Sequence, residues 1–127
     1  MTPTATVTRF IELICLGRLE EAAELTAEDI TYHNLPMPPV FGRADMAAVL
    51  GGVCQLADEV DWVVHHQAEV GTVVLNERTD RFRRGDHWYE IPVMGSFTLS
   101  NGLITRWSDY FDLAQFTERF EGFFAAQ

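Results

Sequence analysis

At 127 residues the chain can hold one domain with a real core and is too short for two, and 47% hydrophobic with 22% charged residues excludes a disordered chain. A formal net charge of −10 would repel nucleic-acid phosphates, and no apolar run approaches the roughly 18–20 residues of a membrane-spanning helix. All nine basic residues are arginine, which removes Schiff-base lysine chemistry and phosphate-loop lysines together.

The opening MTPTATVTRF has no basic segment followed by an apolar one, so no secretion signal is visible. A cytoplasmic protein with reduced, buried thiols at Cys15 and Cys54 is expected. Val7, Phe10, Ile11 and Ile14 share a helical stripe over residues 6–16, with Gly17 as its stop. Residues 19–28 predict a second, short helix. ITYHN (30–34) alternates like a strand and runs into LPMPPVFG, whose three prolines oppose regular structure. Helical spacing returns over 44–57, weakened by Gly51-Gly52.

From Asp61 onward the pattern is that of strands. Residues 61–70 and 72–82 alternate on either side of Gly71, and Gly85-Asp86 turns the chain into 87–100. Asn101-Gly102 is the strongest hairpin signal present and leads into 103–112. Leu113, Phe116, Phe120 and Phe124 close the chain at helical spacing. Helices first and an antiparallel meander after them predict a single α+β domain over 1–127, its curved sheet wrapped around the helices.

Three strands carry polar groups in apolar surroundings. Val74, Asn76, Arg78, Asp80 and Phe82 lie two apart and share a face, as do Leu103, Thr105, Trp107, Asp109 and Phe111. Tyr32 and Asn34 share a face just before the proline-rich loop. Two readings fit. These residues are a solvated pair and caps on a wet face, worth little, or they line a cavity in which Arg78 is the counter-ion of both Asp80 and Asp109.

YHNLPMPPVFGR (32–43), NERTD (76–80) and ITRWSDYFDLAQF (104–116) resemble the limonene-1,2-epoxide hydrolase family. That family's pattern is Tyr-x-Asn before a proline-rich loop, then Glu-Arg-x-Asp, then Trp-x-Asp-Tyr-Phe-Asp-Leu. All three blocks occur in order, and the likeness runs from about residue 6 to 120, behind a shorter leader before the first helix. The resemblance implies the cone fold of the nuclear-transport-factor-2 superfamily and a homodimer. It makes Asp109 the base on an attacking water held by Tyr32 and Asn34, Asp80 the acid on the epoxide oxygen, and Arg78 the bridge between the carboxyl groups. No cofactor, metal or covalent intermediate is implied, and the product is a vicinal diol. The charge balance agrees: two carboxylates and one guanidinium in an apolar pocket are neutral only if one carboxyl keeps its proton.

Competing chemistries have less to stand on. The four histidines show no metal-ligand spacing, and His65 and His66 are expected on opposite strand faces. Neither cysteine has an oriented histidine partner in view. A nucleophile-elbow hydrolase needs a larger α/β domain. A ketosteroid-isomerase-like or polyketide-cyclase-like enzyme, or a non-catalytic binder of small ligands, is the alternative on the same fold. The expected lining of an apolar pocket is Ile11, Ile14, Val53, Phe82, Ile91, Val93, Trp107, Phe111 and Phe116. Such a pocket suits a cyclic or aryl epoxide.

Overall fold

The computed structural model describes residues 1–125. Helix α1 (Pro3–Cys15) starts where the Thr2 hydroxyl accepts from the Ala5 amide and Pro3 occupies the first turn. It ends at Leu16, and Gly17, at φ 76°, allows the Arg18 and Gly17 amides to donate back to the Leu13 and Ile14 carbonyls. Val7, Phe10, Ile11 and Ile14 are buried, as the helical stripe predicts, and Leu13 is buried beside them.

Helix α2 is shorter than expected, Leu19–Ala23. The Thr26 hydroxyl donates to the Ala23 carbonyl at 2.7 Å, and strand β1 (Thr26–Leu35) begins at that residue. Burial of Ile30 and Tyr32 on one face outweighs the helix propensity of 24–28. The proline-rich segment is not wholly irregular: once past Pro39, Val40–Phe41 forms β2 on the edge of β1. Helix α3 spans Arg43–Cys54 and keeps its glycine pair, with Gly51 buried near Leu19.

Strands β3 (Glu59–Val70), β4 (Val73–Arg84), β5 (His87–Ser100) and β6 (Leu103–Tyr110) form the meander, and α4 (Leu113–Ala125) follows. The sheet order is β2-β1-β6-β5-β4-β3, with β1 and β6 parallel and every other pair antiparallel. This is the expected α+β architecture, a mostly antiparallel sheet with the helices on its inner face. The inner face of β4 carries Val74, Asn76, Arg78, Asp80 and Phe82, all buried, so the strand alternation held.

In β6 the phase shifts. Thr98 pairs with Arg106 but Leu99 pairs with Ile104, so Thr105 is a bulge residue. Ile104 is therefore buried, and Leu103 and Thr105 do not share the face of Trp107 and Asp109 as expected. On α4 the fully buried side chains are Phe120 and Phe123, whereas Leu113 and Phe124 stay partly exposed. No described helix is long and apolar enough to cross a membrane.

Candidate active site

Arg78 is the centre of a buried polar network on the inner face of the sheet. Its side chain is 0% exposed, and those of Asp80 and Asp109 are 7% and 5% exposed. The guanidinium straddles the two acids. Nε and Nη2 donate to Asp80 at 2.9 and 3.0 Å, and Nη2 and Nη1 donate to Asp109 at 2.8 and 3.2 Å. The remaining Nη1–H donates to Asn76 Oδ1 at 3.1 Å. Every guanidinium N–H thus has an acceptor, which a planar fork can achieve and an ammonium cannot.

Strand pairing puts these groups side by side. Asn34 on β1 lies opposite Asp109 on β6, and Gly95 on β5 lies between Asp109 and Asn76. A Cβ on Gly95 would stand 2.8 Å from Asn76 Oδ1 and 3.0 Å from Asp109 Oδ1, and it would collide with Arg78 Nη1. Glycine is what lets the guanidinium sit against the strand.

The Trp107 indole N–H donates to Asp109 Oδ1 at 2.8 Å, so Asp109 accepts three hydrogen bonds and keeps a free lone-pair position on Oδ2. Tyr32 stacks on Trp107 at 4.3 Å, and its hydroxyl accepts from the Asn34 amide at 2.8 Å. Burial, with the nearby Asp109 charge adding to it, raises the Tyr32 pKa and keeps the phenol neutral. Burial also raises the Asp80 pKa; Arg78 opposes this and the Asp109 charge reinforces it. The shift favours the protonated form of Asp80. Burial lowers the Arg78 pKa, but the charges of Asp109 and Asp80 and their hydrogen bonds raise it by more, so the cation is permanent.

A cavity of about 230 Å³ opens onto Tyr32, Asn34, Asp80 and Asp109, and the rest of its wall is largely apolar. Val53, Phe82, Ile91, Val93, Phe111 and Phe116 line it, as expected. Ile11, Ile14 and Trp107 do not. Ile14 and Trp107 are core residues with no exposed surface, and Ile11 faces a different hollow beside α1. Helical and strand spacing put all three on the inner side, but Ile14 and Trp107 are packed solid there, and Ile11 borders the hollow between α1 and β3 instead.

Sequence reasoning missed Met37, Val49, Leu50, Cys54, Trp62 and Phe124 in the wall, and Gly95 beside Arg78; it grouped Asn76 with Arg78 but gave it no role. A glycine inside a strand is a signal of close approach and could have pointed to Gly95. The Cys54 thiol, at the end of α3, is pushed up to about 12 by burial and by the Asp80 charge. Both thiols are free. His65 and His66 do not point to opposite faces. A bulge between Val64 and His66 lets them reach Thr79 (2.7 Å) and Glu77 (2.8 Å), two residues on one face of β4. Among the described residues no cluster of three His, Cys, Asp or Glu side chains is arranged to hold a metal.

The mostly antiparallel sheet wrapped on helices is an NTF2-like fold, and its polar cluster lies at the bottom of an apolar cavity. The limonene-1,2-epoxide hydrolase catalytic domain matches residues 1–121, and the chain belongs to that family. It is 32% identical to epoxide hydrolase EphG of Mycobacterium tuberculosis over 68% of its length, a match spanning 57% of that relative. Among solved structures, an LEH-like epoxide hydrolase from M. tuberculosis superposes with a TM-score of 0.81 at 24% identity, covering 98% of this chain and 88% of the other. An NTF2-like protein of unknown function from Cytophaga hutchinsonii gives 0.75 at 22% identity, covering 88% and 91%.

Proposed function

We propose that the chain is a cofactor-independent epoxide hydrolase. It adds water to an apolar cyclic or aryl epoxide in one general acid–base step and releases a vicinal diol. The observation that carries this reading is the single guanidinium bridging two buried carboxyl groups, only one of which needs to be ionised for the cluster to be neutral.

The roles that the family resemblance implies are supported by the hydrogen-bond inventory. Asp109, through its open position on Oδ2, accepts a proton from the attacking water. That water keeps its second proton, through which it donates a hydrogen bond to the Asn34 side-chain oxygen, and it accepts a hydrogen bond from the Tyr32 hydroxyl, whose own acceptor position the Asn34 amide fills. Its remaining lone pair attacks a ring carbon. Asp80, bidentate to Arg78 and still protonated, donates to the ring oxygen as the C–O bond breaks. Arg78 cannot relay the proton back, so Asp109 and Asp80 reset by exchange with solvent or product. The apolar wall excludes other water and suits a substrate without charge.

We place the protein in the cytoplasm as a homodimer without nucleic-acid or membrane partners. The outer face of the sheet supports the dimer, because Leu75, Met94 and Tyr110 are 42%, 51% and 54% exposed there. The function is tested by offering cyclohexene oxide and styrene oxide to wild type and Asp109→Asn and measuring diol. Diol from the wild type and a loss of about 10²–10⁴-fold in the variant is expected. Equal turnover by both, or none by either, removes the assignment.

A further inference from the structure

We infer that Trp62 is the specificity-determining wall of the cavity, limiting the enzyme to compact epoxides. This rests on the epoxide-hydrolase reading above. Trp62 lies on β3 directly opposite Asp80 on β4, so it stands beside the group assigned to the epoxide oxygen. Its ring lies under the Arg78 guanidinium, with Cζ 5.1 Å from the ring centroid, and touches Phe82 and Trp107 at 6.2 and 6.1 Å.

A second hollow of about 490 Å³ lies between α1 and β3, bounded by Thr8, Ile11, Cys15, Val64 and Gln67. Trp62 is the one described residue that lines both this hollow and the catalytic cavity. The indole is therefore the partition between a small reactive space and a larger one that contains no acid or base of the proposed step. Its Nε1–H is buried and has no hydrogen-bond partner. Nothing directional pins the ring, which is held by packing and by Arg78 alone. An orphaned buried donor is costly, and phenylalanine would avoid that cost, but its smaller ring would leave the partition thinner.

With the indole in place, an epoxide substituted on both carbons can extend one chain through the cavity mouth, but the other meets Trp62. Shortening Trp62 joins the hollows and admits the second chain. A single methylene accepted or refused in an apolar pocket changes kcat/KM by about 10–200-fold. The effect on a longer chain is therefore readable.

The test compares kcat/KM for cyclohexene oxide and trans-7,8-epoxytetradecane in wild type and in Trp62→Phe, Trp62→Leu and Trp62→Ala. This graded series keeps a folded member even if alanine loosens Arg78. The ratio of long to compact substrate should rise by at least about tenfold by the leucine variant. Adding Thr8→Phe, which refills only the outer hollow, should cancel the rise. A ratio within about twofold of wild type in a folded leucine variant would overturn the inference, as would a rise that Thr8→Phe leaves intact. Calorimetric binding of cyclohexanecarboxamide and N-hexylheptanamide runs in parallel. If no variant turns over any epoxide, the hydrolase reading fails, and a gain in binding of the long amide still decides the wall.

Discussion

Replacing Gly95 with alanine adds one methyl group to a strand that otherwise tolerates side chains at alternate positions. The added carbon would stand 2.8 Å from Asn76 Oδ1 and 3.0 Å from Asp109 Oδ1, and it would overlap Arg78 Nη1. Nη1 would have to leave, and its bonds to Asn76 and Asp109, at 3.1 and 3.2 Å, would go with it. Two hydrogen bonds of a charged group at about 1.5–3 kcal/mol each, with overpacking of about 1–3 kcal/mol, give a cost of about 4–9 kcal/mol. Relaxation of Arg78 and the stiffer unfolded chain return part of it, the latter about 0.4–1 kcal/mol. A net loss of about 3–5 kcal/mol is expected. For a chain of this size that lowers Tm by about 10–20 °C. Moving the guanidinium by about 1 Å should also cost about 10²-fold in turnover. Differential scanning calorimetry and diol formation on the same preparation check both. A Tm within about 2 °C of wild type, with turnover within about threefold, would refute the role given to Gly95.

Arg78→Lys supplies three donors where five N–H groups now work. It should therefore lose at least about 10²-fold in turnover and about 2–4 kcal/mol of stability, measured by initial rates and urea unfolding. Asp80 has a raised folded-state pKa, so the stability it contributes is complete below the unfolded value of about 3.9 and is lost as pH rises through the folded value. Asp80→Asn removes that loss. Its Tm advantage over wild type should grow as pH is raised above about 4, and a difference that is flat or shrinks across that range contradicts the buried-proton assignment. Light scattering at micromolar concentration should give twice the chain mass. Met94→Glu combined with Tyr110→Glu, on the exposed outer face of the sheet, should give a monomer; an unchanged mass would move the interface elsewhere.

Much of this architecture is legible because periodicity reports which face is buried. Alternation along 72–82 put Asn76, Arg78 and Asp80 on one face with Val74 and Phe82, a face that is buried, and the helical stripe of 6–16 put Val7 and Phe10 on the buried side of α1. Periodicity fails where the backbone changes phase. The bulge at Thr105 turned Ile104 inward, and the one beside His65 put both neighbouring histidines on one face. It also cannot tell core from cavity. Ile14 and Trp107 point inward as Ile91 and Phe82 do, yet the first two are packed solid and the last two border open space. The missed wall residues Met37, Val49 and Phe124 come from a loop and two helices. Their convergence is a product of tertiary docking that local spacing does not encode. Gly95 is visible in the strand, but its meaning lies in what a Cβ would strike.

The central claim is that water is added directly, activated by Asp109 and assisted by Asp80, with no atom of the protein or of a cofactor entering the product. Single-turnover hydrolysis of cyclohexene oxide in ¹⁸O-labelled water, with enzyme in excess after dialysis against a chelator, tests it most directly. Full activity and one labelled oxygen in each diol molecule of the first turnover are the predicted result. Unlabelled diol in that first turnover, with the label found later on an aspartate, would mean a covalent ester intermediate; activity lost to the chelator and restored by a metal ion would mean a different catalyst. Either result would contradict the acid–base assignment.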